Sequence, residues 1–109
     1  MMIKIPIKPI SVNRLFQGRR FKTREYDKFR EMGLLLAPKV KMVKGNVTVK
    51  LDFYSKNANG SDVDNFLKGA LDLIVEAGYI QDDRFIQELT AGKFKSKDER
   101  IEVEIKKIN

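Results

Sequence analysis

At 109 residues with no cysteine and no histidine, the chain has the size of one compact domain, and residues 1–109 read as a single unit. Disulfides, thiolate zinc sites and imidazole-based catalysis are excluded, so any chemistry rests on Asp, Glu, Lys, Arg, Tyr, Ser or Thr, and any bound metal is a hard cation with oxygen ligands. The net charge of +7 is unevenly spread: Met1 to Lys50 carries 13 basic and 3 acidic residues, whereas Leu51 to Asn109 carries 9 and 12. A basic excess of that kind attracts a polyanion, and nucleic acid is the obvious one.

The opening "MMIKIPIKPI" alternates lysine with isoleucine and forms no secretory core, and the apolar runs fall short of a membrane span. A soluble, intracellular (cytoplasmic) protein without membrane contact is expected. Ile3, Ile5 and Ile7 mark a half-buried strand, and Pro6 places it at a sheet edge. "SVNRLFQGRRFK" reads as a basic loop with interleaved aromatic residues. From Thr23 to Ala37, the spacing of Tyr26, Phe29, Gly33 and Leu36 predicts an amphipathic helix that stops before Pro38. "MGLLLAPKVKMV" is more apolar than one helix face needs, so Leu34, Leu35, Met42 and Val43 belong either to the core or to an interface.

"NVTVKLDFY" alternates Val47, Val49, Leu51 and Phe53 on one face and predicts a strand, and "SKNANGS" predicts a loop. In "SDVDNFLKGALDLIVEAGYIQDD", Leu67, Ala70, Leu71 and Ile74 recur at helical spacing, with Phe66, Leu73 and Ala77 broadening the face and Gly78 at the C-cap. "RFIQELTAGKFK" and "RIEVEIKKI" complete the pattern as two further strands. Strands and helices mix without regular βαβ alternation, which implies an α+β fold: a small mixed β-sheet with two helices packed on one face.

The same segment holds the candidate site. With Ser61 or Asp62 as N-cap, Asp64 falls in the first turn, where free N–H groups favour negative charge. Capping accounts for one aspartate but not readily for both. Asp62 and Asp64 can converge off the helix start, with Lys68 at i+4 from Asp64 free to pair with it or to reach a phosphate. If the following strand runs back beside the helix start, Asp82 or Asp83 joins them. Three carboxylates with waters would hold a hard cation such as Mg2+, which polarises a phosphodiester and acidifies a bound water without histidine. The competing reading makes the D-x-D a capping feature and the "DD" a turn.

"DVDNFLKGALDLIVEAGYIQDDRFIQELTAGK" resembles the signature of the RusA family of Holliday junction resolvases, in which D-x-D-N-x-x-K leads a helix and an acidic pair follows a short Gly-containing turn. The likeness extends over most of the chain, including "IPIKPISVNRLF" and the final strand. The resemblance implies Asp62, Asp64 and Asp83 as metal-binding catalytic aspartates, Lys68 as the essential lysine, Asp82 as a neighbour and Lys93 as a substrate contact. Asn65 would orient Asp64, and Asp72 would pair with Lys68. It further implies a Mg2+-dependent endodeoxyribonuclease, with Mn2+ as a substitute and no small-molecule cofactor. Such an enzyme binds four-way junction DNA as a homodimer and nicks two opposed strands, in a bacterial cell or phage-infected host.

Under that resemblance Lys8, Asn13, Arg14, Arg19, Arg20, Lys22 and Arg24 would contact DNA, while Phe16 and Phe21 either stack on bases or pack in the core. The alternatives are a non-catalytic basic DNA-binding protein and a flap- or fork-specific nuclease of the same chemistry.

Overall fold

In the computed structural model, which describes residues 1–11 and 24–108, the alternation of Ile3 and Ile5 forms strand β1 (Met2–Ile5), ending just before Pro6. The basic loop with Asn13, Arg14, Phe16, Arg19, Arg20, Phe21 and Lys22 lies outside the described residues. Helix α1 (Arg24–Leu36) buries Tyr26, Phe29 and Gly33 as the spacing predicts. Leu36 differs: it is exposed, and Ala37, whose N–H makes the last helical bond to the Gly33 carbonyl at 2.8 Å, packs on the core in its place.

Strand β2 (Val47–Ser55) buries Val47, Val49, Leu51 and Phe53 along one face, and β4 (Arg100–Lys107) buries Ile101, Val103 and Ile105 opposite them. Helix α2 (Leu67–Glu76) follows β2, and β3 (Ile86–Lys95) follows α2. The described residues form a four-stranded sheet in the order β1-β4-β2-β3, with β3 parallel to β2 and the other pairs antiparallel. The fold is the expected α+β arrangement. One element pair was not read from the sequence: β2, α2 and β3 form a βαβ unit, because β3 pairs parallel to β2 from Val47↔Ile86 to Ser55↔Lys95.

The core lies between the sheet and the two helices, where Phe29, Phe66, Ala70, Leu73 and Ile74 meet the inward residues of β1, β2 and β4. Each fully buried Leu, Ile or Phe contributes about 1.5–3 kcal/mol. Glycines let the helices close up: a Cβ at Gly69 would stand 3.3 Å from the Phe29 ring and 2.8 Å from Ile10. On the opposite face of the sheet, the Tyr54 ring is stacked by Phe94 at 5.1 Å and covered by the Arg100 guanidinium at 3.7 Å.

Helix α2 ends in a Schellman motif. Gly78, at φ 80°, donates to the Val75 carbonyl and Tyr79 donates to the Ile74 carbonyl, each at 3.0 Å. The reversal directs the chain toward Asp82 and Asp83. Gly78→Ala is expected to lower stability by about 1–2 kcal/mol through left-handed backbone strain alone, since an added Cβ meets open space. Urea melts of the two chains measure the difference.

Of the apolar residues between the helices and β2, Leu34, Leu35 and Met42 are exposed, whereas Val43 is half-buried and bridges Ile80. The core reading therefore holds for Val43 alone.

Candidate active site

The D-x-D segment enters as extended chain. Ser61 (φ −147°, ψ 151°) and Asp62 (φ −71°, ψ 152°) connect two 3-10 turns, Ala58–Gly60 and Val63–Phe66, and the second runs directly into α2. Val63 and Phe66 point inward against the core, which leaves Asp62 and Asp64 outside and exposed. Asp62 has the N-cap position, yet its side chain makes no capping hydrogen bond. The turn is closed by backbone instead: the Asn65 N–H donates to the Asp62 carbonyl at 3.0 Å. Neither carboxylate has a hydrogen-bond or ion-pair partner among the described residues. Capping therefore does not explain the pair.

One turn into α2, Lys68 is exposed and its amine lies 3.4 Å from Asp72. The other Asp72 oxygen accepts the hydroxyl of Tyr26, whose ring is buried in α1. Burial and this carboxylate hold the Tyr26 hydroxyl well above its usual pKa, so it remains a donor at every working pH. A second cross-link, Arg30 to Glu76 at 2.5 Å, lies one turn along both helices. Together they fix Asp72, and through it the reach of Lys68. Periodicity reads Tyr26 only as core; the phenol oxygen is the one signal of its second role.

Asp82 and Asp83 have different tasks. Asp82 caps the 3-10 turn Asp83–Phe85, accepting the Arg84 N–H at 3.0 Å. That bond, with one from Asp83, holds the Asp82 carboxyl below the usual range; the same contact, partial desolvation and the charge of Asp82 push Asp83 up. Lys68 draws Asp83 back down, and Asp72 opposes that pull. Lys68, Asp72, Val75, Glu76, Asp82 and Asp83 line one cleft of about 240 Å³.

The raised Asp83 carboxyl favours folding below its unfolded pKa, and that contribution is lost as pH rises through its folded value. Asp82 acts oppositely, stabilising above its unfolded pKa and losing this as pH falls through its depressed value. Asp82→Asn keeps an oxygen for the cap and removes the neighbouring charge. Asp83 is then expected to titrate at lower pH than in the wild type, as followed by carboxyl 13C shifts; an unmoved Asp83 would contradict the pairing.

The structure thus brings Asp83, Lys68, Asp72 and Asp82 together, but it holds Asp62 and Asp64 apart from them. Ser61 follows the end of β2, whereas Asp83 precedes the start of β3, and the parallel register sets those points at opposite ends of the βαβ unit. Among the described residues no group of three acidic side chains is placed to hold a metal ion. The donor chemistry of Asp62 and Asp64, oxygen-only and unpaired, suits a hard cation; the three-carboxylate set is not closed.

Of the expected DNA contacts, Lys8 and Arg24 are exposed, and Lys8 stands at the rim of a hollow of about 500 Å³ that also touches Lys28, Phe29, Phe66 and Ser61. Lys93 is half-buried, and its amine donates to the Ser61 carbonyl at 2.8 Å. Asn13, Arg14, Arg19, Arg20 and Lys22 fall outside the described residues.

The fold and the site define a small α+β domain with a strongly basic first half and an exposed D-x-D ahead of a lysine. The sequence model of the family described as Endodeoxyribonuclease RusA matches residues 6–106, and the chain belongs to that family. No curated protein matches the chain in direct comparison. Membership implies an endonuclease acting on DNA. Among the described residues no helix is long and apolar enough to cross a membrane.

Proposed function

We propose that the chain resolves four-way DNA junctions by hydrolysing phosphodiesters in opposed strands, with Asp62, Asp64, Lys68 and Asp83 as its working groups. The observation that carries this reading is the D-x-D itself: two exposed carboxylates with no partner among the described residues at the head of α2, ahead of Lys68. Two exposed carboxylates without a capping bond have oxygen donors to spare for a cation.

The expected cofactor is Mg2+, with Mn2+ as a substitute and no organic cofactor. Asp62 and Asp64 would supply two oxygen donors, which suffice for an ion that keeps several waters and takes phosphate oxygens from its substrate. When bound, the cation supplies the charge that polarises the phosphodiester and acidifies water. Lys68, steadied by Asp72, would set its ammonium against charge developing on the phosphate or the leaving oxygen. Asp83, which lines a cleft with Lys68 but lies at the end of the βαβ unit away from Asp62, is the third expected carboxylate.

Two symmetric incisions need two sites about a two-fold axis, so the working form is a homodimer. The exposed Leu34, Leu35 and Met42 are the apolar surface such a dimer would cover.

A labelled immobile junction, with linear duplex and fork controls, tests the reading in Mg2+ and in EDTA. Paired nicks in opposed strands, dependent on metal and absent from duplex, are expected. Preferential cutting of forks would favour the fork nuclease, and binding without cutting would leave a DNA-binding protein. Mn2+ binding followed by electron paramagnetic resonance, in the wild type and in Asp62→Asn, reads the metal site independently of turnover.

A further inference from the structure

We propose that Lys93 is a positioning residue that holds the D-x-D segment in place, and that it makes no energetically significant contact with DNA. The inference rests on the nuclease reading of Asp62 and Asp64 and assigns a role that neither motif nor charge supplies.

Lys93 pairs with Phe53 in the β2–β3 register, and Phe53 is fully buried, so the lysine stem rises on the covered face of the sheet. Its amine ends at 2.8 Å from the Ser61 carbonyl and is half-buried there. That carbonyl needs an outside donor. Ser61 and Asp62 are extended chain between two 3-10 turns, with no strand alongside, and Lys93 is the hydrogen-bond donor to Ser61 among the described residues.

The bond is charge-assisted, the stronger kind, and it fixes the peptide plane between Ser61 and Asp62. The next side chain on that plane is the first carboxylate of the site. Misplacement of a reacting group by about 1 Å costs on the order of 100-fold in rate.

The test is Lys93→Met, which keeps the stem on the covered face and removes only the amine, so the fold is expected to persist. Turnover at saturating junction should fall about 10- to 100-fold. Junction affinity and the salt dependence of binding should stay unchanged. Amide exchange at Asn65, whose N–H closes the turn onto Asp62, should quicken. Lys93→Arg, which keeps a cationic donor of similar reach, should recover most of the turnover.

A loss of affinity with a salt slope shallower by about 1 would assign Lys93 to a phosphate and overturn the proposal. So would normal turnover, or unchanged Asn65 exchange, in Lys93→Met. If the wild type itself cuts no junction, it is the nuclease reading that fails, and the positioning role falls with it; a cutting wild type with an equally active Met variant sinks the Lys93 proposal alone.

Discussion

Asp64→Asn is expected to cut junctions about 1,000-fold more slowly than the wild type while binding them at least as tightly. Asparagine keeps the size and one oxygen of the side chain but removes the charge that would hold a cation. Since the Asp64 carboxylate has no partner among the described residues, its loss breaks no bond within the fold. Removing a negative charge close to bound phosphates leaves affinity equal or raised. Asp62→Asn should behave alike, because its N-cap position carries no side-chain bond. Single-turnover cleavage, junction titration and thermal melts of the same preparations separate the outcomes. A variant that melts well below the wild type would return these aspartates to structure, and one that cuts normally would remove them from the site.

Junction affinity should fall by about 1,000-fold or more between 50 and 200 mM salt, as expected for a protein that neutralises six or more phosphates. The cause is the 13 basic residues against 3 acidic in the first 50 positions. Lys8 and Arg24 are both exposed and available for this. A logarithmic plot of affinity against salt gives the count of phosphates directly. A flat line would place DNA on another surface and leave the charge asymmetry to solubility.

The elements themselves were legible because each has a single covered face. Val47, Val49, Leu51 and Phe53 fall on every second residue, and Ala70, Leu73 and Ile74 at helical steps, so burial is written into local spacing. What spacing does not encode is which strand lies beside which. The parallel pairing of β2 with β3 depends on α2 crossing over, and it sends Asp83 to the end of the unit remote from Asp62. The capping reading of Asp62 was reasonable from sequence, yet a 3-10 turn intervenes before the α-helix and closes through backbone. Tyr26 and Lys93 were also only half readable: one as core, the other as a substrate contact. Their polar ends meet Asp72 and Ser61, 46 and 32 residues away.

The strand order carries a consequence for how the molecule is made. Both β1 and β2 take β4 as a neighbour, and β1 has no other among the described residues. Met2 to Ile5 wait for Ile101 to Glu104, and the ladder from Val47 to Tyr54 waits for the same segment. Pairings this remote along the chain are slow to find. A nascent chain that has not yet released Arg100–Lys107 from the ribosome therefore has no completed sheet on which to seat α2 and the Ser61 link. Translation delivers the carboxylates well before it delivers the scaffold that aims them, so a growing chain carries the residues of a nuclease without the geometry of one.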